Sequence, residues 1–142
     1  MLKKKERIGI VVSLFNSKIT LALLESTLAT LKARGVPMDQ VDVIKVPGAF
    51  EIPVTCAKLA RNFHHSCVIS LGCLIKGDTP HFDYISQEVS RALMDISLET
   101  EKPIIMGVLT TNTEQQALDR CSLGKIKAQT SQIKPATADK GL

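Results

Sequence analysis

The sequence predicts a single α/β domain, a three-layer αβα sandwich in which helices cover both faces of a four-stranded parallel sheet. The chain has 142 residues, which is the length of one domain. Apolar runs of four to eight residues alternate with longer segments whose apolar residues recur at helical spacing. These runs are apolar throughout, as is typical of parallel strands buried on both faces, and right-handed crossovers would join them.

The first predicted strand, residues 8–13 (IGIVVS), leads into a helix that Asn16 or Ser17 can cap. The helix is expected to end at Gly35, which is followed by Val-Pro. The residues expected to form its apolar face are the leucines at positions 21, 24, 28 and 31.

The second strand is predicted at residues 41–46 (VDVIKV) and is broken by a Pro-Gly pair. Pro53 suits the first turn of a second helix, which continues to about Arg61. The third strand is predicted at residues 67–71 (CVISL), and the histidine pair before it, His64 and His65, is expected to be solvated.

A loop over residues 72–80 leads to a long helix at about 82–99, and a fourth strand follows at 104–109 (IIMGVL). The sequence TEQQ at 113–116 is a capping box, so a fourth helix is expected to run past Arg120. Together these elements give the order βαβαβαβα within one domain spanning 1–142.

The two ends of the chain carry the net charge of +4, because the positive excess lies in residues 1–7 and 121–142. We expect a basic tail at 1–6 and a tail or flexible loop at 121–142, which has no stable apolar stripe. The chain contains no Trp and one Tyr, so no aromatic platform for nucleic acid is expected. No apolar run approaches the length of a membrane span, and no membrane partner is expected.

The four cysteines have no metal-finger spacing, so no metal site is predicted. Scattered cysteines in a chain of this size are typically small buried residues with free thiols. Because free thiols persist in a reducing compartment, a cytoplasmic location is expected.

Ligands of open parallel sheets bind at the carboxyl ends of the strands, which selects residues 14–16, 47–51 and 72–81 as candidate site segments. Phe15 could stack on a flat heterocycle, or it could pack on the following helix as a hydrophobic staple. Glu51 could bind a ligand, or it could only stabilise a helix N-terminus.

The segment GDTPH at residues 77–81 suits an anion, because Thr79 can cap a helix and Pro80 fits its first position. Backbone N–H groups near His81 would then point at the anion, provided that the Asp78 carboxylate turns away. An imidazole exchanges protons near neutral pH, so His81 is either a general acid–base residue or a structural one.

Four motifs, in this order, resemble those of lumazine synthase: FN at 15–16, PGAFEIP at 47–53, LGCLIKGDTPHFDYI at 71–85 and GVLTTNTEQQALDR at 107–120. The resemblance covers about residues 7–120. It implies a flavodoxin-like fold and the penultimate step of riboflavin biosynthesis. In that step 5-amino-6-(D-ribitylamino)uracil and 3,4-dihydroxy-2-butanone 4-phosphate condense to 6,7-dimethyl-8-ribityllumazine, with release of phosphate and water and without a metal or organic cofactor.

The resemblance also implies roles for individual residues. Phe15 would stack on the pyrimidine, His81 would be the proton donor, and Arg120 would reach the phosphate. The remaining positions are Ala49, Phe50 and Glu51 at the ribityl chain, Cys73, Leu74 and Ile75 at the pyrimidine, Asp78 and Thr79 at the butanone phosphate, and Met106, where the family often has an aromatic residue.

The family forms its site between neighbouring subunits of a homopentamer, to which the arginine and the fourth-strand residue come from the adjoining copy. Some members assemble into ten or sixty subunits, and the sequence leaves this number open. The segment 121–138 is longer than its family counterpart and different from it, ADKGL at 138–142 is only loosely similar to the family's NKG-type sequence, and Lys140 could match a phosphate-contacting lysine.

Three alternatives remain at this stage. The first is an archaeal-type riboflavin synthase, which would consume lumazine. The second is a non-catalytic lumazine- or flavin-binding or shell-forming homologue. The third is a flavodoxin-like FMN carrier, although the Ser/Thr-rich loop expected after its first strand is absent.

Overall fold

A computed structural model describes residues 5–121 and confirms the three-layer αβα sandwich. Most of the predicted segments at 1–6 and 121–142 lie outside the described residues. Two short 3₁₀ turns, Met38–Gln40 and Ala49–Glu51, lie before the second strand and the second helix. The strands are β1 (Arg7–Ser13), β2 (Val41–Val46), β3 (His65–Ile75) and β4 (Ile104–Thr111), and the helices are α1 (Ser17–Ala33), α2 (Ile52–Arg61), α3 (His81–Thr100) and α4 (Glu114–Cys121).

The sheet has the strand order β2-β1-β3-β4, and all neighbouring strands are parallel. At the centre of β1, Ile10 is paired with Val43 of β2 and Ile69 of β3. The chain moves from β1 to one side of the sheet for β2 and then to the other side for β3. The β1–β3 boundary is therefore the point where the strand order reverses, and a crevice forms there in folds of this type.

The apolar core lies on both faces of the sheet, because successive side chains of a strand point to opposite faces. In β1, Val11 contacts the cluster that α2 and α3 form, whereas Ile10 and Val12 contact the cluster that α1 and α4 form. All three β1 side chains are fully buried. Each helix buries one side only, and none between residues 5 and 121 is long and apolar enough to span a membrane.

Helix α1 faces the sheet with a different set of residues than the leucine spacing predicts. Its buried residues are Ile19, Thr20, Leu23 and Ser26, whereas Leu21 is exposed. The leucines at positions 24, 28 and 31 are partly buried beside this stripe. The prediction counted only leucines and missed the small polar residues that a close helix–sheet contact accommodates.

Strand β3 extends from His65 to Ile75, well beyond the predicted 67–71. The prediction of a loop was wrong for residues 72–75, which continue the strand. A Cβ atom at Gly72 would lie 2.9 Å from Cδ1 of Ile52 and 3.1 Å from Oγ of Ser13. The glycine therefore belongs to a strand that its neighbours approach closely, and it does not end that strand.

The amino ends of the strands carry a charged cluster in which His65 is buried, so the prediction that this side chain is solvated was wrong. His65 Nε2 lies 2.9 Å from Oδ2 of Asp42, and Arg7 donates to both carboxylate oxygens at 2.7 Å. The hydrogen bonds from Arg7 are the main cause that lowers the pKa of Asp42 to about 2. This cluster lies at the opposite end of the sheet from the carboxyl ends of the strands.

The predicted capping box at the start of α4 is confirmed. The backbone N–H of Gln116 donates to Thr113 Oγ1 at 3.2 Å, and the N–H of Thr113 donates to Gln116 Oε1 at 3.3 Å. All four cysteines are free, and Cys56, Cys73 and Cys121 are buried, as expected for small apolar side chains.

Candidate active site

A cavity of about 580 Å³ opens at the carboxyl ends of β1, β2 and β3, next to the first turns of α3. Its volume falls in the range of small-molecule sites, about 300–1,000 Å³. Its lining combines four segments of the chain and is mostly apolar. The lining residues are Phe15, Asn16, Gly48, Ala49, Phe50, Glu51, Cys73, Leu74, Ile75, Gly77, Thr79, His81, Phe82 and Ile85.

The loop between β1 and α1 forms one wall with Phe15, whose surface is 69% exposed. A hydrophobic staple would require this ring to pack on α1, so the exposed ring fits the ligand-facing alternative better. The loop is bonded to the end of β2, since the N–H groups of Leu14 and Phe15 donate to the carbonyls of Val46 and Pro47 at 2.8 and 2.9 Å.

The turn between β2 and α2 supplies a second part of the cavity wall. The backbone N–H of Gly48 donates to Oε2 of Glu51 at 2.9 Å, so this carboxylate stabilises the turn, as one of the two alternatives predicts. Glu51 also lines the cavity, which is the position that the ligand-binding alternative requires. Ala49 is buried at the base and Phe50 is exposed at the rim.

The end of β3 forms the floor with Cys73, Leu74 and Ile75. Burial is the main cause that raises the pKa of the Cys73 thiol to about 11. Because the thiolate is the nucleophilic form, Cys73 is a neutral wall residue at neutral pH and not a nucleophile.

The segment from β3 to α3 brings Thr79 and His81 to the cavity, and both are exposed. Helix α3 begins at His81, with Pro80 as its N-cap and no side-chain capping hydrogen bond. The predictions that Thr79 caps this helix and that Pro80 takes its first position were therefore wrong. The backbone already turns at Pro80, whose carbonyl accepts from the N–H groups of Asp83 and Tyr84.

Two lining residues, Phe82 and Ile85, were missed by the sequence analysis. The sequence contained a signal for them, because residue 85 lies one helical turn after residues 81 and 82 on a helix that starts at His81. Asn16, which the sequence analysis placed in the candidate segment 14–16 without a role of its own beyond helix capping, also lines the cavity.

Three predicted site residues do not line this cavity of the single chain over the described range. Asp78 is exposed between two lining residues, Met106 is half-exposed on the edge strand β4, and Arg120 is exposed on α4. The Arg120 Nη1 donates to the carbonyl of Gln116 at 2.9 Å. No lysine or arginine of the described residues lines the cavity, so this part of the chain offers no cationic side chain to a phosphate there.

The described residues also contain no group of three or more His, Cys, Asp or Glu side chains placed to hold a metal ion. Glu51 and His81 supply the carboxylate and the imidazole of the lining. The cavity can therefore hold a flat ring against an aromatic side chain and exchange protons at its edge.

The fold and the cavity define a flavodoxin-like α/β protein with a cavity of small-molecule size where the strand order of its sheet reverses. The family model of 6,7-dimethyl-8-ribityllumazine synthase matches residues 5–137. The chain belongs to this family, which confirms the resemblance of the four sequence motifs. Membership supports a lumazine synthase type of transferase activity in riboflavin biosynthesis.

Proposed function

We propose that this protein condenses 5-amino-6-(D-ribitylamino)uracil with 3,4-dihydroxy-2-butanone 4-phosphate to give 6,7-dimethyl-8-ribityllumazine, phosphate and water. The observation that carries the proposal is the cavity at the carboxyl ends of the strands. Nine residues that the family resemblance assigns to the substrates or to proton transfer come together there from three distant segments, at positions 15, 49–51 and 73–81. No cofactor is needed, because the reaction combines proton transfers with the alignment of two substrates.

The pyrimidine ring would stack on Phe15 and lie against Cys73, Leu74 and Ile75. An exposed aromatic ring beside a largely apolar floor suits a flat heterocycle, whose stacking is favourable in an offset geometry. The neutral thiol of Cys73 supports this placement because it adds no charge beneath the ring.

The ribityl chain would extend along the 49–51 turn. Glu51 holds the turn through Oε2, and a carboxylate has about four acceptor positions, so acceptor capacity remains for substrate hydroxyl groups. This arrangement lets one side chain both fix the turn and accept hydrogen bonds from the polyol.

The butanone phosphate would lie at the start of α3, near Thr79 and beside the exposed Asp78. The positive end of the helix dipole favours an anion there, but a phosphate in a site of this kind also needs a cation. None of the described residues that line the cavity has such a side chain, which supports the proposal that Arg120 comes from an adjoining copy, as does Met106 at the pyrimidine.

His81 would move protons during imine formation between the aromatic amine and the ketone, the elimination of phosphate and the closure of the ring. Fixing two reactants in one geometry is worth about 7–11 kcal/mol of barrier, whereas a general acid–base group contributes roughly 10²–10⁴-fold in rate. We therefore expect alignment of the two substrates in the cavity to lower the reaction barrier more than proton transfer by His81 does.

The assembly would be a homopentamer or a multiple of it. Support comes from large apolar side chains that the single chain leaves exposed on α2, α3 and the edge strand β4, since homo-oligomer interfaces bury such side chains. These residues are Val54, Tyr84, Met94, Leu98, Ile105 and Met106. We place the protein in the cytoplasm, a location that the four free thiols support.

The test combines native mass spectrometry with the fluorescence of lumazine formed from the two purified substrates and with phosphate release. The proposal expects a mass that is a multiple of five chains and stoichiometric release of phosphate. Binding of lumazine or flavin without turnover would instead favour the non-catalytic homologue, and consumption of lumazine would favour the riboflavin synthase alternative.

A further inference from the structure

We propose that Asn16 is a positioning residue that holds the Phe15 ring at the fixed distance from β3 that the pyrimidine substrate requires. The inference rests on the proposed function and adds a residue that the family motif comparison left without a role in the site. It is carried by one hydrogen bond across the point where the strand order of the sheet reverses: Asn16 Nδ2 donates to the carbonyl oxygen of Cys73 at 3.0 Å.

The Asn16 side chain does not make the capping hydrogen bond that is usual for an asparagine at a helix N-terminus. Asn16 is the N-cap of α1, and its carbonyl accepts from the N–H groups of Ile19 and Thr20 at 3.0 and 3.1 Å. Asparagine is among the best N-capping residues because its side chain accepts from the first turn of the helix. Here the side chain makes no such bond and donates instead to a strand residue 57 positions away.

The backbone of Asn16 makes the turn that directly follows Phe15. Its φ and ψ of 59° and 45° lie in the left-handed region, which is favourable for Gly and tolerated by Asn and Asp. Phe15 immediately precedes this turn. Because most of its ring is exposed, side-chain packing does not hold the ring in place, and the backbone ties on each side must do so.

Hydrogen bonds connect the loop to both neighbouring strands. On the β2 side the Phe15 N–H donates to the Pro47 carbonyl at 2.9 Å, and on the β3 side the Asn16 amide donates to Cys73. The β1–β3 backbone pairing ends at Val12 and Leu71, two residues before Cys73. The Asn16 amide therefore continues the connection between the strands after the backbone ladder has ended.

Cys73 is itself part of the cavity wall, so this bond joins two walls of the same site. If the bond is removed, the loop is expected to keep its tie to β2 and to lose its spacing from β3. The distance between the Phe15 ring and the β3 residues of the cavity would then vary. We expect this to weaken binding of the stacked pyrimidine substrate more than binding of the phosphate substrate.

The test uses two variants that retain the left-handed turn. Asn16→Gly keeps the backbone conformation and removes the amide, and Asn16→Asp keeps the size but replaces the donor with a carboxylate that cannot donate to a carbonyl. Asn62→Asp is the matched control for the change of charge. Asn62 is exposed at the C-terminal end of α2, whereas the cavity lies at the N-terminal end of this helix. Its Oδ1 accepts from the His64 N–H.

We expect both Asn16 variants to raise the KM and Kd of the pyrimidine substrate on the order of threefold to tenfold, the value of one hydrogen bond. The KM of the butanone phosphate should stay within about twofold, and the melting temperature and native mass should match those of Asn62→Asp. Kd is measured by calorimetry with the pyrimidine substrate alone, so that it does not depend on turnover.

Unchanged pyrimidine KM and Kd in both variants, in a wild-type protein that makes lumazine, would overturn the role of Asn16 and leave the proposed function intact. A parallel loss of both KM values and of thermal stability would also overturn it, because Asn16 would then be merely structural. A wild-type protein that binds the pyrimidine without turnover would refute the proposed function, and the Kd values would still decide on Asn16. A wild-type protein that does not bind the pyrimidine would overturn both.

Discussion

Replacing Phe15 with alanine separates binding from stability, because its ring is mostly exposed in the folded chain. With 69% of the residue surface exposed, about a third of it is buried. Complete burial of a phenylalanine side chain is worth about 1.5–3 kcal/mol, so Phe15→Ala should lower the free energy of unfolding by only about 0.5–1 kcal/mol.

The expected effect on the pyrimidine substrate is larger. Aromatic stacking contributes about 0.5–1.5 kcal/mol beyond the area that it buries, and covering part of the exposed ring with substrate adds about 1 kcal/mol. The sum of roughly 1.5–2.5 kcal/mol corresponds to an increase in Kd of about 10-fold to 70-fold.

The assay is calorimetric titration of the pyrimidine substrate into the wild-type protein, Phe15→Ala and Phe63→Ala, together with urea unfolding of each at one protein concentration. Phe63 is 92% exposed and lies outside the cavity, so its replacement controls for the loss of a surface aromatic residue. If Phe15→Ala binds as tightly as Phe63→Ala, or if it loses several kcal/mol of stability, the assignment of this ring to stacking is refuted.

Three further predictions concern the proton donor, the phosphate and the charged cluster at the amino ends of the strands. His81→Ala should lower kcat by about 10²–10⁴-fold and still leave measurable product, since alignment remains; complete loss of turnover with intact binding and assembly would contradict this ranking. Arg120→Ala should raise the KM of the butanone phosphate more than that of the pyrimidine in steady-state assays, and an unchanged KM for the phosphate substrate would argue against the role of Arg120. The Arg7 guanidinium lowers the pKa of Asp42 from 3.8 to about 2, so the stability that this carboxylate contributes is present above about pH 4 and is lost as the pH falls toward 2. Because the Asp42 side chain is 36% exposed, solvent screening reduces the full value of about 2.4 kcal/mol to about 1 kcal/mol. Asp42→Asn should therefore be less stable than wild type by that amount at pH 6 in urea unfolding, and a stability difference that is the same at pH 6 and pH 3 would refute the assignment.

The order of the elements and the place of the cavity were predictable because they depend on local signals. Apolar runs of strand length and the TEQQ capping box indicate β4 and α4 directly, and the rule for parallel sheets turns strand ends into a candidate site. The segments around Phe15, Glu51 and His81 were selected in this way, and they do lie together.

Other features depend on which neighbour a residue meets, and local patterns do not contain that information. Gly72 resembles a strand break in the sequence but is a close contact with Ile52 and Ser13 inside β3. His65 resembles a loop residue but is buried beside Asp42, because the starts of β1, β2 and β3 meet there.

The sequence by itself determined the parallel α/β sandwich, the family and most of the residues that line the cavity, because hydrophobic periodicity and short motifs are properties of neighbouring positions along the chain. Only the tertiary structure decided that Asn16 bonds to Cys73 and that Phe82 and Ile85 complete the wall. It also placed Arg120 and Met106 outside the cavity of a single chain. Each of these results depends on distances between segments that are far apart in sequence, and those distances are set by packing.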